Sequence, residues 1–282
     1  MIIKDQTFDE ERALYNLKDS TVLNCCFKGP KDGESVLKET RNIVVKDSSF
    51  SLRYPLWHAQ KFELINSNLD ELTRAPIWYS HNGIIDRTTV TGVKCLRECS
   101  SILVKNSTID SKEFGWFCKD IEVIDSTINS EYLFMHTDNV KIKNLKMSGK
   151  YTFQYMNNLT IEDSYLDTKD AFWHSNDVTV INSVVKGEYL AWFSNRLTLI
   201  NCRIIGTQPL CYCKELKLIN CTMEDTDLAF EYSDVEADIK GNVISIKNPR
   251  SGHIYVDSVN EIIKENPVME CKGEIIIRES HQ

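Results

Sequence analysis

The side chains best suited to bind or act on a ligand occur in short aromatic runs that also carry histidine or a carboxylate. One run is Asp170-Ala171-Phe172-Trp173-His174, and comparable runs surround Tyr132 and Tyr151. Aromatic rings stack on the faces of sugars, and a positioned carboxylate or imidazole can transfer a proton. The candidates for such proton transfer are Asp170, His174, Glu98 and Glu113.

These runs recur because the chain is built from a repeat of nineteen residues. Each repeat has alternating apolar residues, then a polar anchor, then usually Ser or Cys. The steps between anchors are 23, 19 and 21 residues, then seven successive steps of 19, then 21. The anchors are Asn24, Asp47, Asn66, Arg87, Asn106, Asp125, Asn144, Asp163, Asn182, Asn201, Asn220 and, by position only, Gly241.

The alternation within each repeat predicts short strands, and nineteen residues are too few for a strand and a crossover helix. The predicted fold is therefore all-β, a right-handed single-stranded parallel β-helix, or solenoid, of about 12 coils. One domain spans 1–282, with an N-terminal cap at 1–20, coils at 21–249 and a C-terminal cap at 250–282. Short helices are predicted at Phe8–Leu14 and Ser258–Glu265, and a turn-rich insertion at Gly29–Ser35.

The anchor residues have a structural explanation. Asn and Asp tolerate the left-handed backbone of a tight turn, and their short side chains hydrogen-bond local backbone. Asparagines stacked from coil to coil can also bond to one another. We therefore expect a ladder of anchors, with Asn182 and Asn201 as mid-chain members.

Strand alternation also predicts which aromatic residues face solvent. Counted from the anchor, charged residues such as Glu98 and Asp170 occupy the seventh, ninth and eleventh positions, and charges are almost never buried unpaired. The eighth, tenth and twelfth positions, including Trp173 and Trp192, are then expected to be buried and stacked; a slip of one residue would exchange the two sets. The expected ligand-binding face consists of Tyr132, Phe134, His136, Tyr151, Phe153, Tyr155, Phe172, His174, Tyr189, Phe193 and Tyr212.

Composition argues against several classes of partner. The net charge of -8 opposes phosphate-tracking nucleic-acid binding. No run approaches the length of an apolar membrane span, and the polar start gives no secretory signal, so we expect a cytoplasmic protein without membrane contact. Ten cysteines in a long chain without such a signal are expected to be reduced thiols.

No metal site or cofactor is predicted. His136 and His174 share a column two coils apart, which is about 9.6 Å and too far for shared zinc coordination. Cys211 and Cys213 fall in the inward set, as do Cys99 and Cys118, where small soft residues fill a core. The outward rows contain no aspartate cluster of the kind that binds calcium in many β-helix lyases.

Four segments resemble those of a mainly bacterial family catalogued as domain of unknown function 3737, and the resemblance covers essentially the whole chain. They are Arg53–His58, Gly33–Glu39, Asp167–His174 and Asp227–Tyr232. The resemblance implies a β-helix and no particular activity. The coil pattern is more distantly similar to pectate lyases and other polysaccharide-processing β-helices, which is a likeness of fold that does not transfer function.

Two functions of different classes remain open. The first is binding or processing of a carbohydrate on the aromatic face; an enzyme would be of the polysaccharide lyase or glycoside hydrolase type. Glu98 and Glu113 could approach the separation of roughly 5–9 Å that glycoside hydrolysis needs. Asp170 and His174, four residues apart on one strand, lie about 13 Å apart and cannot form a direct acid–base pair. The alternative is a non-enzymatic scaffold, or a homodimer, whose aromatic face is the protein interface.

Overall fold

The computed structural model describes residues 1–29 and 33–279, and this part of the chain contains strands but no helix. Strands account for 55% of the residues and form a parallel β-solenoid of about 14 turns. The predicted fold class is confirmed. The number of turns exceeds the prediction because segments assigned to the caps, such as Ile2–Lys4 and Glu274–Ile277, are themselves paired strands. Accordingly, the described residues include no helix long and apolar enough to cross a bilayer.

The chain divides into two compact units, Met1–Lys141 and Ile142–Gln282. The predicted single domain with two caps stays a prediction. Strands of the first unit are Ile2–Lys4, Thr7–Phe8, Lys18–Leu23, Cys26–Lys28, Arg41–Lys46, Ser49–Ser51, Leu56–Trp57, Gln60–Ile65, Asn68–Leu69, Ile77–Trp78, His81–Asp86, Thr89–Val90, Ser100–Lys105, Thr108–Asp110, Glu113–Phe114, Lys119–Ser130 and Tyr132–Leu133. The strand Asp138–Gly149 contains the residues at the boundary. Strands of the second unit are Asn157–Glu162, Tyr165–Asp167, Asn176–Ile181, Val184–Lys186, Asn195–Ile200, Arg203–Ile205, Leu216–Glu224, Asp234–Lys247, Ser251–Ile263 and Glu274–Ile277.

Each coil pairs in parallel with its neighbours in the register of the sequence repeat. In the second unit, Asn176–Ile181 pairs with the equivalent strand of the next coil, so that Thr179 lies beside Thr198. The alternate residues Val178 and Val180 point inward and are fully buried. The apolar positions of the repeat therefore build a continuous core within each unit.

The predicted anchor ladder is confirmed. Asn182, Asn201 and Asn220 have φ values of 50, 51 and 53°, the left-handed conformation that asparagine tolerates. The Asn201 side-chain amide donates to the Asn182 oxygen at 3.1 Å, and the Asn220 amide donates to Asn201 at 2.7 Å. These three anchors thus lie at left-handed turns and bond to one another from coil to coil.

Both helix predictions are wrong. The N-terminal segment contains the strand Thr7–Phe8 and then turns, and the Phe8 ring stacks on Phe27 at 5.2 Å. Residues 258–263 continue the strand Ser251–Ile263, which pairs with Asp234–Lys247. Ladder hydrogen bonds and stacking between coils override the weak local preference for helix. Within the predicted insertion, residues 30–32 lie outside the described residues.

Candidate functional site

The part of each coil that carries the aromatic residues is not a regular strand. We call positions seven to twelve after the anchor the aromatic segment; residues 189–194 are one example. In residues 189–194 the seventh, ninth and eleventh positions are left-handed, with φ values of 55° at Tyr189, 64° at Ala191 and 62° at Phe193. This conformation is rare for bulky residues. Hydrogen bonds between coils hold it, such as Ala191 N–H to the Ala171 carbonyl at 2.7 Å.

Left-handed residues remove the two-residue alternation, and the predicted assignment of faces is therefore partly wrong. The eighth and ninth positions both point inward, and the eleventh reaches solvent. The tenth also reaches solvent at Trp116, Trp173 and Trp192, but it is buried at Gln154 and Cys211. The expectation that Phe134, Phe153 and Phe172 are exposed is wrong, because these rings are 0%, 0% and 1% exposed. Trp173 and Trp192 are half-buried rather than buried, although their predicted stacking is confirmed at 5.5 Å and 4°.

The second unit retains an aromatic surface with a different composition. Tyr155, His174, Phe193 and Tyr212 form a ladder of stacked rings with centroid separations of 5.1, 5.0 and 4.9 Å. Phe193 and Tyr155 are 45% and 42% exposed. We call the following set the second-unit face: Tyr151, Tyr155, Asp170, Trp173, His174, Tyr189, Trp192, Phe193 and Tyr212.

The second-unit face has two columns of stacked rings, the ladder just described and the Trp173–Trp192 pair. The two columns pack against each other edge to face. The Trp192 ring lies at 81° to Phe193 and at 77° to Tyr189. The indole N–H groups donate to backbone carbonyls, from Trp173 to Tyr189 at 2.6 Å and from Trp192 to Gln208 at 2.8 Å. Because stacked rings cover much of each other's faces, a ligand would meet ring edges and the strips left uncovered by the offset. The surface is rigid, and its indole N–H groups are already used.

Asp170 is the one acidic member of the second-unit face. The residue is 7% exposed, and its carboxylate forms no hydrogen bond or ion pair with the described residues. The adjacent Lys169 is bound to Glu188 at 2.8 Å instead. Burial raises the pKa of the Asp170 carboxyl, Lys169 lowers it, and Glu188 raises it further. An unpartnered carboxylate on a largely buried residue is costly and often marks a functional site.

In the first unit, two predicted face residues reach solvent in a similar arrangement. His136 is exposed and stacks on Phe117 at 5.2 Å and 2°. Tyr132 is half-buried, with its ring against the edge of Trp116 at 6.0 Å and 86°. The first unit therefore also has solvent-exposed aromatic rings that stack from coil to coil.

The four residues considered for acid–base chemistry do not form a paired catalytic arrangement in the described residues. The Glu113 carboxylate lies 3.8 Å from the Lys94 amine, and Glu98 is exposed with a left-handed backbone. In the second unit, His174 is stacked between Tyr155 and Phe193, with no hydrogen bond to Asp170. Only Asp170 combines burial with an unused carboxylate.

Cys99, Cys118, Cys211 and Cys213 are buried in the core, as predicted. Burial raises the pKa of Cys213 to about 11 and also raises the pKa of Cys211. Thiols with raised pKa values are protonated at neutral pH and are poor nucleophiles. Within the described residues there is no group of three or more His, Cys, Asp or Glu side chains placed to hold a metal ion.

A polar groove of about 610 Å³ lies along the anchor row of the first unit. Its side chains bond to one another: the Asn24 amide donates to Asp5 at 2.8 Å, and the Asn66 amide donates to Asp47 at 2.5 Å. These bonds agree with the structural role assigned to the anchors. The remaining lining includes Thr7, Cys26, Ser49, Asn68, Arg87 and Thr89.

Comparison with known proteins identifies the family. The model of the family described as "Protein of unknown function (DUF3737)" matches residues 1–277. The chain belongs to this family. No curated protein matches the sequence. The resemblance inferred from the sequence segments is therefore confirmed for nearly the whole DUF3737 chain.

Solved structures share the fold of this DUF3737 chain at low identity. PfbA, a surface adhesin of Streptococcus pneumoniae, has a TM-score of 0.53 at 9% identity, with 93% of this chain and 83% of that chain covered. The tailspike protein of E. coli bacteriophage HK620, as a double mutant, has a TM-score of 0.50 at 9% identity, with 98% of this chain and 72% of that chain covered. At such identities these similarities show the β-helix fold alone.

Sequence reasoning missed the surface role of Trp173, Trp192 and Trp116. A signal was present, because runs such as Tyr189–Phe193 contain five consecutive residues without a charge or any polar alternation. A regular strand at the surface would alternate apolar and polar residues. The absence of alternation indicated a segment of another conformation.

Proposed function

We propose that the second-unit face binds a glycan, and that Asp170 accepts hydrogen bonds from the hydroxyl groups of one sugar residue. The observation that carries this proposal is Asp170, a residue that is 7% exposed and whose carboxylate has no hydrogen bond or ion pair among the described residues. An ionised carboxylate offers two acceptor oxygens. Neighbouring hydroxyls of a sugar supply the matching donors.

The surroundings of Asp170 suit a sugar ring. Tyr151 and Tyr189 occupy the same position in the coils before and after it, and both are half-buried. Sugars present C–H groups as well as hydroxyls, and aromatic surfaces cover C–H groups while excluding water. Because the rings pack against one another, less conformational entropy is lost when a ligand binds to them.

The charge of the site favours a neutral sugar at this position. Asp170 and the exposed Glu188 are acidic, and Lys169, the cation that lowers the pKa of Asp170, is already bound to Glu188. A uronate placed on Asp170 would add a like charge beside a poorly solvated carboxylate. We therefore expect neutral glycans to bind this face more tightly than acidic ones.

The proposal is tested with Asp170→Asn, which keeps the shape and the left-handed backbone but removes the charge. Wild type and variant are compared on an array of neutral and acidic glycans, and hits are titrated by tryptophan emission. We expect at least about a tenfold loss of affinity, since hydrogen bonds to charged groups contribute about 1.5–3 kcal/mol.

The matched control is Asp225→Asn, an exposed aspartate of the second unit with φ of 51°. This variant should bind as wild type does. Equal binding by wild type and Asp170→Asn, or absence of any hit for wild type, would refute the proposal.

A second function is supported by the exposed apolar rings. Phe193 is 45% exposed and Tyr155 42%, and aromatic residues are enriched in the buried centre of protein interfaces. This observation supports an interface, including one with a second copy of the chain. Phe193→Ser would then convert a dimeric wild type into a monomer in size-exclusion chromatography with mass detection. A monomeric wild type would exclude the homodimer.

A further inference from the structure

A second cluster, in the first unit, has the opposite charge. Trp78, Arg97 and Trp116 occupy the same position in three successive coils, and their backbones are bridged in register. The Arg97 guanidinium carbon lies 5.2 Å from the centroid of Trp78 and 5.6 Å from that of Trp116. Phe117 approaches it at 5.4 Å. We call these four residues the arginine clamp.

The walls of the arginine clamp are fixed by hydrogen bonds. The Trp78 indole N–H donates to the Lys94 carbonyl at 2.7 Å, and the Trp116 N–H donates to the Tyr132 carbonyl at 2.7 Å. Arg97 therefore occupies the place of an aromatic ring inside a column whose other members cannot rotate freely. Cation–π attraction between the guanidinium and the indoles stabilises this position.

The donors of Arg97 are unused. The half-buried side chain forms no ion pair and no side-chain hydrogen bond with the described residues. The nearby acid Glu113 is engaged with Lys94 at 3.8 Å, and Glu131 with Lys112 at 3.1 Å. A guanidinium has five N–H donors in a planar fork that matches the oxygens of an oxyanion.

We propose that the arginine clamp is a binding site for an oxyanion, either the carboxylate of an acidic sugar or a phosphate group. Stacking removes rotational freedom from the Arg97 side chain before any ligand arrives, so less entropy is lost when two parallel hydrogen bonds form. Charge-assisted, bidentate bonds of this kind are among the stronger hydrogen bonds in proteins. Phe117 and the indoles limit access of water to one side of the fork.

This inference is independent of the glycan proposed for the second unit. The two sites have opposite charges: Asp170 favours a neutral sugar, whereas Arg97 favours an anion. Asp170→Asn should therefore leave oxyanion binding unchanged. The failure of one proposal does not decide the other.

The probes are sodium glucuronate, glucose 6-phosphate and, as a neutral control, methyl glucoside. Binding is followed by tryptophan emission, because Trp78 and Trp116 flank the guanidinium, and by calorimetry. We expect wild type to bind at least one of the two anions and to bind methyl glucoside more weakly. Preference for glucuronate identifies a carboxylate as the ligand group, and preference for glucose 6-phosphate identifies a phosphate.

Two substitutions at Arg97 test the site. Arg97→Gln removes the charge. Arg97→Trp also removes the charge but continues the column of indoles, so it should fold even if the glutamine variant packs poorly. Both should weaken anion binding by about tenfold or more. Arg97→Lys keeps a charge without the fork and should give an intermediate loss.

The matched control is Arg41→Gln, which removes an exposed arginine of the same unit outside the clamp. It should bind the anion as wild type does. The proposal is overturned if wild type binds neither anion, if methyl glucoside binds as tightly as they do, or if the folded Arg97→Trp variant keeps wild-type affinity.

Discussion

Two phenylalanines one coil apart test the revised assignment of faces. Phe172 and Phe193 belong to the second unit, and their φ values are 63 and 62°, so substitution by alanine changes backbone strain equally at the two sites. Phe172 is 1% exposed and stacks on Phe153 at 5.2 Å and 12°. Phe193 is 45% exposed. The two substitutions therefore differ mainly in how far the phenylalanine ring is buried.

The expected magnitudes follow from that difference. Phe172→Ala leaves a cavity between coils, and such a change typically lowers the free energy of unfolding by about 3–5 kcal/mol. For Phe193, little more than half of the ring surface is covered and no closed cavity forms. Burial of a whole phenylalanine side chain is worth about 1.5–3 kcal/mol, so Phe193→Ala should cost roughly 1–1.5 kcal/mol.

The assay is urea denaturation followed by far-ultraviolet circular dichroism. Values are compared only where the slope with denaturant is the same for wild type and variant, since solenoids can lose cooperativity. Under the face assignment predicted from strand alternation, both rings would be exposed and the two costs would be similar. Equal losses, or a larger loss for Phe193→Ala, would show that the face assignment is wrong.

Three further changes test other parts of the structure. Gly115 has φ of 76°, and an added Cβ would lie 2.2 Å from the Phe134 ring, so Gly115→Ala should destabilise by roughly 1–3 kcal/mol in urea melts; unchanged stability would contradict this packing. Asn201→Leu breaks the bond to Asn182 and should cost about 1 kcal/mol or more, whereas an unchanged melting temperature would count against the ladder. Burial raises the pKa of Asp170 in the folded protein. The contribution of Asp170 to the free energy of unfolding is therefore complete below the unfolded pKa of about 3.9, and it is lost as the pH rises through the folded pKa. Asp170→Asn should abolish that decline between acidic and neutral pH, and parallel pH–stability curves for the two proteins would refute it.

Much of the fold was predictable because solenoid coils repeat the same physical requirement. The left-handed turn favours Asn or Asp, which occupy ten of the twelve anchors, and the alternating valines and isoleucines before it must face the core. Asn182 and Val180 could therefore be placed from spacing alone, and the structure puts both where expected. The ends were harder, because Phe8 and Ser258 owe their strand conformation to pairing with a neighbouring coil that local sequence does not show.

The aromatic segment could not be placed by alternation because its backbone conformation changes at every other residue. Strand parity would have put Phe172 and His174 on the same side, but the structure buries the first ring and exposes the second. A left-handed residue rotates the chain, so two successive side chains can point inward and the next two outward. This geometry allows one segment to contribute Phe172 to the core and Trp173 and His174 to the surface. It also explains how Asp170 can be almost buried while belonging to an exposed face, which is the feature on which the proposed glycan site depends.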